Sequence, residues 1–196
     1  MAVREVLTYP DPVLKQVCTP AQPEDLERVV TDLLDTMASF DHCVGLAAPQ
    51  IGETVRVAVV DLSGHPKAKD PHGLMVLINP RVVARSEGSK VSREGCLSLP
   101  DLTANVRRPR KATVEFTGIV HPEGLPPTML AVKDLAGQGK SMSPRFEPGE
   151  YSTHRLELAS FEARCVLHEI DHLDGILFLD RVASITDDLF RRQTYS

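Results

Sequence analysis

The sequence predicts an α+β protein, with mainly antiparallel strands wrapped around a central helix that carries His168-Glu169-Ile170-Asp171-His172. An amphipathic helix near the N-terminus and a short C-terminal helix complete it. Three patterns carry the prediction: one helical apolar stripe in residues 23–38, five short apolar runs between residues 54 and 159, and a last helical stretch over 161–173. That last stretch mixes core residues with histidine, glutamate and cysteine.

Tyr9-Pro10-Asp11-Pro12 is a rigid extended lead-in, since each proline steers its predecessor away from helix. Pro23 opens the first helix, where Leu26, Val29, Val30, Leu33, Leu34 and Met37 recur at core-facing spacing and Glu24, Asp25, Glu27, Arg28 and Asp32 face water. Thr54 to Asp61 reads as a buried strand. Leu74 to Pro80, Val82 to Ser86, Ala112 to Thr117 and Arg155 to Ala159 read as further strands, bounded by glycine, proline and charge. Ser160 is placed to cap a helix from Phe161 to about Leu173, which Gly175 ends. A short helix is expected over Ile185 to Gln193. Between His121 and Ser152, prolines and glycines alternate with little periodicity, so residues 122–152 read as an inserted surface loop in a single catalytic domain spanning residues 1–196.

The composition is that of an ordinary globular chain, with 42% hydrophobic and 25% charged residues. A net charge of −5 provides no basic field, so direct nucleic-acid recognition is not expected. The run Arg107-Arg108-Pro109-Arg110-Lys111 reads as the solvated start of a strand. The opening residues lack a secretion signal and no apolar run approaches membrane-spanning length, which points to a cytoplasmic protein without membrane contact. Cysteines 18, 43, 96 and 165 are too few and too irregular for a disulfide scaffold. Nothing in the sequence specifies an oligomeric state.

The chemistry centres on HExxH. Residues four apart on a helix differ by roughly 40° in direction, so His168 and His172 can reach one cation from the same face. Glu169 is then placed to meet a water on that cation. Phe161, Cys165, His168 and His172 share one face, while Val166, Leu167 and Ile170 occupy another. A helix buried on both sides cannot hide two histidines and a glutamate without strong partners, and a metal supplies them. Cys96, between Gly95 and Ser98, is the candidate third ligand. Cys165, one turn before His168, could compete but reads better as a packing residue. Three protein ligands leave a fourth position open, the arrangement of catalytic rather than structural sites. Such an ion acidifies water, and Glu169 can take the proton and return it to a leaving nitrogen. That is hydrolysis of an amide-like bond.

Three segments together resemble the peptide deformylase family: Gly45-Leu46-Ala47-Ala48-Pro49-Gln50, Glu94-Gly95-Cys96-Leu97-Ser98 and His168-Glu169-Ile170-Asp171-His172. The opening Asp11-Pro12-Val13-Leu14 is similar to the family too, and the resemblance runs over residues 4 to about 120 and 153 to 183. It implies removal of the formyl group from the N-terminal formyl-methionine of new polypeptides, with release of formate. It implies Cys96, His168 and His172 as ligands of one divalent ion, with Fe2+ the usual native metal and Zn2+, Ni2+ or Co2+ as substitutes. Glu169 becomes the proton-transfer residue, and the Gln50 amide and the Leu97 N–H hold the oxyanion. By the same correspondence, Val44, Gly45, Phe161, Arg164 and Cys165 lie along the path of the substrate and the pocket for its methionine side chain. Nascent formyl-methionyl polypeptides are the implied partners, with transient contact to ribosomes.

Glu94 could orient a neighbouring group, and Asp171 or Arg108 could form a charged support beneath the histidines or a plain surface ion pair. The chain departs from the family pattern at Cys43, where another glycine is usual, and at Leu167, where glutamine is common. The loop at 122–152 is longer than the family leads one to expect. Two other readings compete. An HExxH metalloprotease would take a downstream histidine or glutamate as third ligand, yet only Asp174, Asp180, Asp187 and Asp188 follow the helix. A non-catalytic, deformylase-like binding protein is the other.

Overall fold

The computed structural model describes residues 3–121 and 151–192. Residues 122–150, and with them nearly all of the expected surface loop, lie outside the described part, as does Gln193.

Two antiparallel sheets and one central helix build the fold. Strands β1 (Gly45–Ala47), β2 (Val57–Asp61), β3 (Leu74–Arg85), β6 (Lys111–His121) and β7 (Ser152–Ala159) form a five-stranded sheet in the order β1-β2-β3-β6-β7. Strands β4 (Ser89–Cys96), β5 (Leu99–Pro109) and β8 (Leu189–Arg191) form the second, in the order β4-β5-β8. Helix α1 (Pro23–Ala38) covers one face of the larger sheet: Val29, Val30, Leu33, Leu34 and Met37 pack with Val57, Val59, Leu74, Val76 and Ile78. Helix α2 (Ser160–Leu173) covers the other, where Ala163, Val166 and Ile170 meet Val60, Met75, Leu77, Val114 and Leu158. Strands sandwiched between two helices need apolar residues on both faces, which is why residues 57–60 read as an unbroken buried run.

The smaller sheet closes the far side of α2 through a third cluster, in which Leu99, Ala104 and Val106 pack with Leu14, Leu177 and Phe178. Gly175, at φ 69, carries the chain out of α2 so closely past residue 15 that a Cβ there would stand 2.6 Å from the Lys15 carbonyl oxygen.

Five local expectations need correction, the first being Asp32, which was expected to face water but is only 3% exposed beside Arg4. The runs at 74–80 and 82–86 belong to one strand, β3, which absorbs Pro80 through register shifts between Ile78 and Arg81 and between Val82 and Ala84. Asn79 sits there at φ 50 and its side chain bonds both backbone groups of Ala21, at 2.8 and 3.1 Å. Ser160 does not cap α2. It lies inside the helix at φ 53, its N–H bonded to Arg110 O, and Ala159 occupies the cap position without a side-chain bond. The C-terminal helix, α3 (Ile185–Asp188), is shorter than expected, because Leu189–Arg191 pair with β5 instead. Finally, the basic run ends β5 and begins β6, and Arg108 within it is only 3% exposed.

Candidate active site

Helix α2 delivers His168 and His172 to the gap between the two sheets, and the end of β4 delivers Cys96. Their ligand atoms lie within 4.8 Å of one another, the only such three-residue group of metal-binding type among the described residues. Cys96 Sγ is 3.2 Å from His172 Nε2. The imidazoles stand edge to face, with centroids 5.0 Å apart and planes at 78°. Cys165 is not in the cluster; it is buried against the larger sheet, and burial pushes its thiol up. Burial acts the same way on Cys96, but there the two imidazoles overcome it and hold the thiol well below its ordinary range.

The set fits a divalent cation. A thiolate and two imidazole nitrogens, one per residue and converging in a buried place, suit borderline metals such as zinc or ferrous iron. His168 donates from Nδ1 to Glu94 Oε2 at 3.0 Å, which leaves Nε2 as the lone-pair atom for the cluster. Glu94 is itself clamped by Arg108, whose Nε and an Nη reach its two oxygens at 2.7 and 2.9 Å, and by Arg164 at 2.5 Å. Arg108 also donates to Asp171 at 2.8 Å, and Arg181 closes on the other side of Asp171. Burial alone would raise the Glu94 carboxyl, yet His168 and Arg108 hold it well below the usual carboxylate range.

Glu169 is 4% exposed, and its Oε2 has no hydrogen-bond partner among the described residues. Burial raises its pKa to about 7, with the histidines pulling the other way and Cys96 adding to the rise. Gly45 lies directly against it: a Cβ at that position would stand 2.6 Å from Glu169 Oε1. Gln50 is pinned by its Oε1, which accepts from Ala47 N–H at 2.9 Å. That turns its Nε2 toward Cys96 Sγ (3.4 Å) and Ser98 Oγ (3.2 Å). Leu97 occupies the tight turn between β4 and β5, where Cys96 pairs with Leu99.

These residues line a cavity of about 460 Å³ together with Val44, Phe161, Arg164 and Cys165. Every site residue named from the sequence therefore borders the cavity except His172, which lies beneath it at 1% exposure. The aliphatic stem of Arg164 lines the wall while its head is spent on Glu94 and on the carbonyls of Val106 (3.2 Å) and Lys90 (3.0 Å). Sequence reasoning missed His65, Lys67, Arg93 and Arg192, which border the same cavity. No motif marks them; the 62–73 segment brings His65 and Lys67 to the opening, β4 brings Arg93, and the chain just past β8 brings Arg192. Ser98, fully buried beside Gln50, stood in the second motif of the sequence but was given no role of its own.

The family model for polypeptide deformylase matches residues 3–122 and 144–188. The chain belongs to the peptide deformylase family. It is 35% identical to the peptide deformylase of Rhizobium meliloti over 98% of this chain and 92% of that protein. Against the peptide deformylase of Acidobacterium capsulatum the identity is 38%, over 98% and 94%. Among solved structures, peptide deformylase from Thermotoga maritima superposes with a TM-score of 0.70 at 26% identity, covering 94% of this chain and all of that one. Residues 123–143 fall between the two matched segments, inside the stretch read from the sequence as an insertion. No described helix is long and apolar enough to cross a membrane.

Proposed function

We propose that this deformylase-family enzyme hydrolyses the N-formyl group from formyl-methionyl polypeptides as they are made, using Cys96, His168 and His172 to hold one divalent ion, Fe2+ by preference. One observation carries the reading: in a chain of this family, three donor atoms within 4.8 Å of one another adjoin a buried carboxylate with an unpartnered oxygen. A bound ion would polarise the formyl carbonyl and make water a usable nucleophile near neutral pH. The reaction adds water across the formyl C–N bond, so formate leaves and a free amine remains.

The chain's own groups account for the rest. Glu169, with a pKa of about 7, can accept a proton from the attacking water and return it to the departing nitrogen. The Gln50 amide is a neutral donor already aimed at the cluster, so it can hold a developing oxyanion without competing for the cation's charge; the Leu97 N–H is the second donor. Strands β1 and β4 each end a sheet, which leaves backbone edges on both sides for an extended peptide. Val44, Phe161, Cys165 and the stem of Arg164 offer an apolar wall suited to a thioether side chain. Acting on emerging chains would place the enzyme in the cytoplasm, in transient contact with ribosomes.

The metalloprotease alternative lacks a third ligand. Asp174 is engaged by Arg56 at 2.6 Å, Asp180 by Lys15 at 2.6 Å, Asp187 by Ser184 at 2.7 Å and Asp188 by Asn105 at 3.2 Å. The test is formate release by anaerobically prepared, iron-loaded protein from formyl-Met-Ala-Ser, with acetyl-Met-Ala-Ser and casein as controls. Turnover of the formyl peptide alone is expected. Cleavage of casein would favour the protease, and inertness toward all three would favour a binding protein.

A further inference from the structure

The protein is acidic overall, at −5, yet the mouth of its cavity is basic. On one wall Arg93 projects from β4, three residues before Cys96, its guanidinium 3.5 Å above the ring centroid of Phe190 and bonded to Thr103 Oγ1 at 3.1 Å. Beside it Arg192 reaches over Gly95 so closely that a Cβ on that glycine would stand 2.2 Å from one of its terminal nitrogens. Its backbone is fixed there by a 2.8 Å bond from its N–H to Asp101 O. On the opposite wall Lys67 holds its ammonium 5.8 Å from the centroid of Phe161, which His65 stacks against at 4.6 Å.

All three cations are exposed, and among the described residues none has a carboxylate within ion-pair distance. They contrast with Arg108 and Arg164, whose charge is consumed by Glu94 and Asp171 in the floor. Asp41 is the carboxylate that shares the mouth with them. Stacking on an aromatic ring orients a cation without neutralising it, so Arg93 and Lys67 are held in place with their charge still available. A cleft with an excess of one sign of charge concentrates ligands of the other sign, and here three cations against Asp41 do so against the field of the whole molecule.

We propose that Arg93, Arg192 and Lys67 make this enzyme select formyl-methionyl chains with acidic residues among the first three positions after the methionine. The inference rests on the deformylase reading. With the formyl group at the Cys96–His168–His172 cluster and the methionine side chain against Phe161, the peptide leaves between the β1 and β4 edges. Successive residues advance about 3.3 Å each along that path. The second to fourth residues therefore pass between the two basic walls. Exposed pairs are individually weak, and two or three together amount to about a fivefold preference that salt erodes.

The test compares kcat/KM of the metal-loaded protein for formyl-Met-Ala-Asp-Asp, formyl-Met-Ala-Ser-Ser and formyl-Met-Ala-Lys-Lys, at about 50 mM and about 500 mM salt. Binding of the deformylated product peptides is measured in parallel by calorimetry. The expected order is Asp, then Ser, then Lys, with the spread narrowing at high salt. Arg93→Gln combined with Arg192→Gln should compress the spread, and Lys67→Gln on the opposite wall should do so independently. Turnover of all three at equal rates, or fastest turnover of the lysine peptide, overturns the proposal and leaves the deformylase reading intact. Binding that follows charge without turnover of any formyl peptide would instead overturn the deformylase reading and keep the recognition. Neither turnover nor charge-ordered binding would remove both.

Discussion

Glu94 accepts from Nδ1 of His168 at 3.0 Å while both its oxygens are clamped by Arg108, so one buried carboxylate aims the ring proposed as a metal ligand and neutralises a guanidinium. The two jobs predict two separable losses. Glu94→Gln keeps an acceptor for the His168 N–H but leaves Arg164 without a counter-charge and Arg108 with Asp171 alone. Stability should fall by about 3–5 kcal/mol, read by urea unfolding of the metal-free protein, because each guanidinium is nine-tenths or more buried. Metal affinity, read by competition with a chelator, should fall about 10–100-fold as the ring faces a neutral amide oxygen in place of a carboxylate. Unchanged affinity in a folded variant would mean that Glu94 serves the arginines alone.

The third ligand can be assigned by contrast between two thiols. Cys96 is 3.2 Å from His172 Nε2, whereas Cys165 faces the apolar side of α2 and is held protonated by burial. Cys96→Ser should therefore lose metal on dialysis, since a hydroxyl is a poor substitute for thiolate. Cys165→Ser should retain a near-stoichiometric ion and lose only packing energy, seen as a lower Tm. Metal analysis after anaerobic dialysis decides it, and the reverse pattern would move the ligand assignment to Cys165.

Much of this was readable from the chain because its signals are local. The i, i+4 histidines, the α1 stripe and the valine run of β2 each declare themselves within one element. What stayed hidden depends on partners far away in sequence. Strand β4 lacks an alternating apolar pattern because Glu94 takes an inward position, and the short Leu102-Ala104-Val106 alternation of β5 runs into Arg108, so a buried ion pair reads as surface in one dimension. The C-terminal helix was overestimated because Leu189 and Phe190 suit a helix stripe equally well, and pairing with Ala104 and Thr103 wins. Gly45 was legible only as a residue on the substrate's path, and its close approach to Glu169 could come only from coordinates.

That contact gives a sharper test of the role proposed for Glu169 than truncation alone. Gly45→Ala would put a methyl 2.6 Å from Glu169 Oε1 and 3.0 Å from its Cδ and Cγ, with no backbone in the way. The fold can yield by swinging the Glu169 side chain, so stability and metal content should change little. The carboxylate would then be misplaced, and kcat should drop by at least about tenfold while Glu169→Ala drops it about 10²–10⁴-fold, both with metal retained. Loss of metal from Glu169→Ala would make that carboxylate a ligand. Full activity of Gly45→Ala would mean that Glu169 tolerates displacement and is not poised where it acts.

The last prediction concerns alkaline stability and a group outside the site. Cys18 is 5% exposed, packed with Ala47, Ala58 and Leu173, and its N–H is bonded to Leu173 O at 2.9 Å. Burial pushes its thiol up from 9.0 to about 11, with Arg56 opposing and Asp174 adding. The folded state thus holds the proton more tightly than the unfolded chain, so the associated stability is complete below pH 9.0 and is lost as the pH climbs toward about 11. Two pKa units correspond to about 2–3 kcal/mol. Cys18→Ala lacks the titration and leaves only a constant packing loss, since the methyl replaces the thiol at every pH. Urea unfolding from about pH 8.5 to about pH 10.5 should therefore cost the unmodified protein about 2 kcal/mol more than the variant. Parallel pH curves for the two proteins would show that Cys18 ionises as freely in the fold as it does in the open chain.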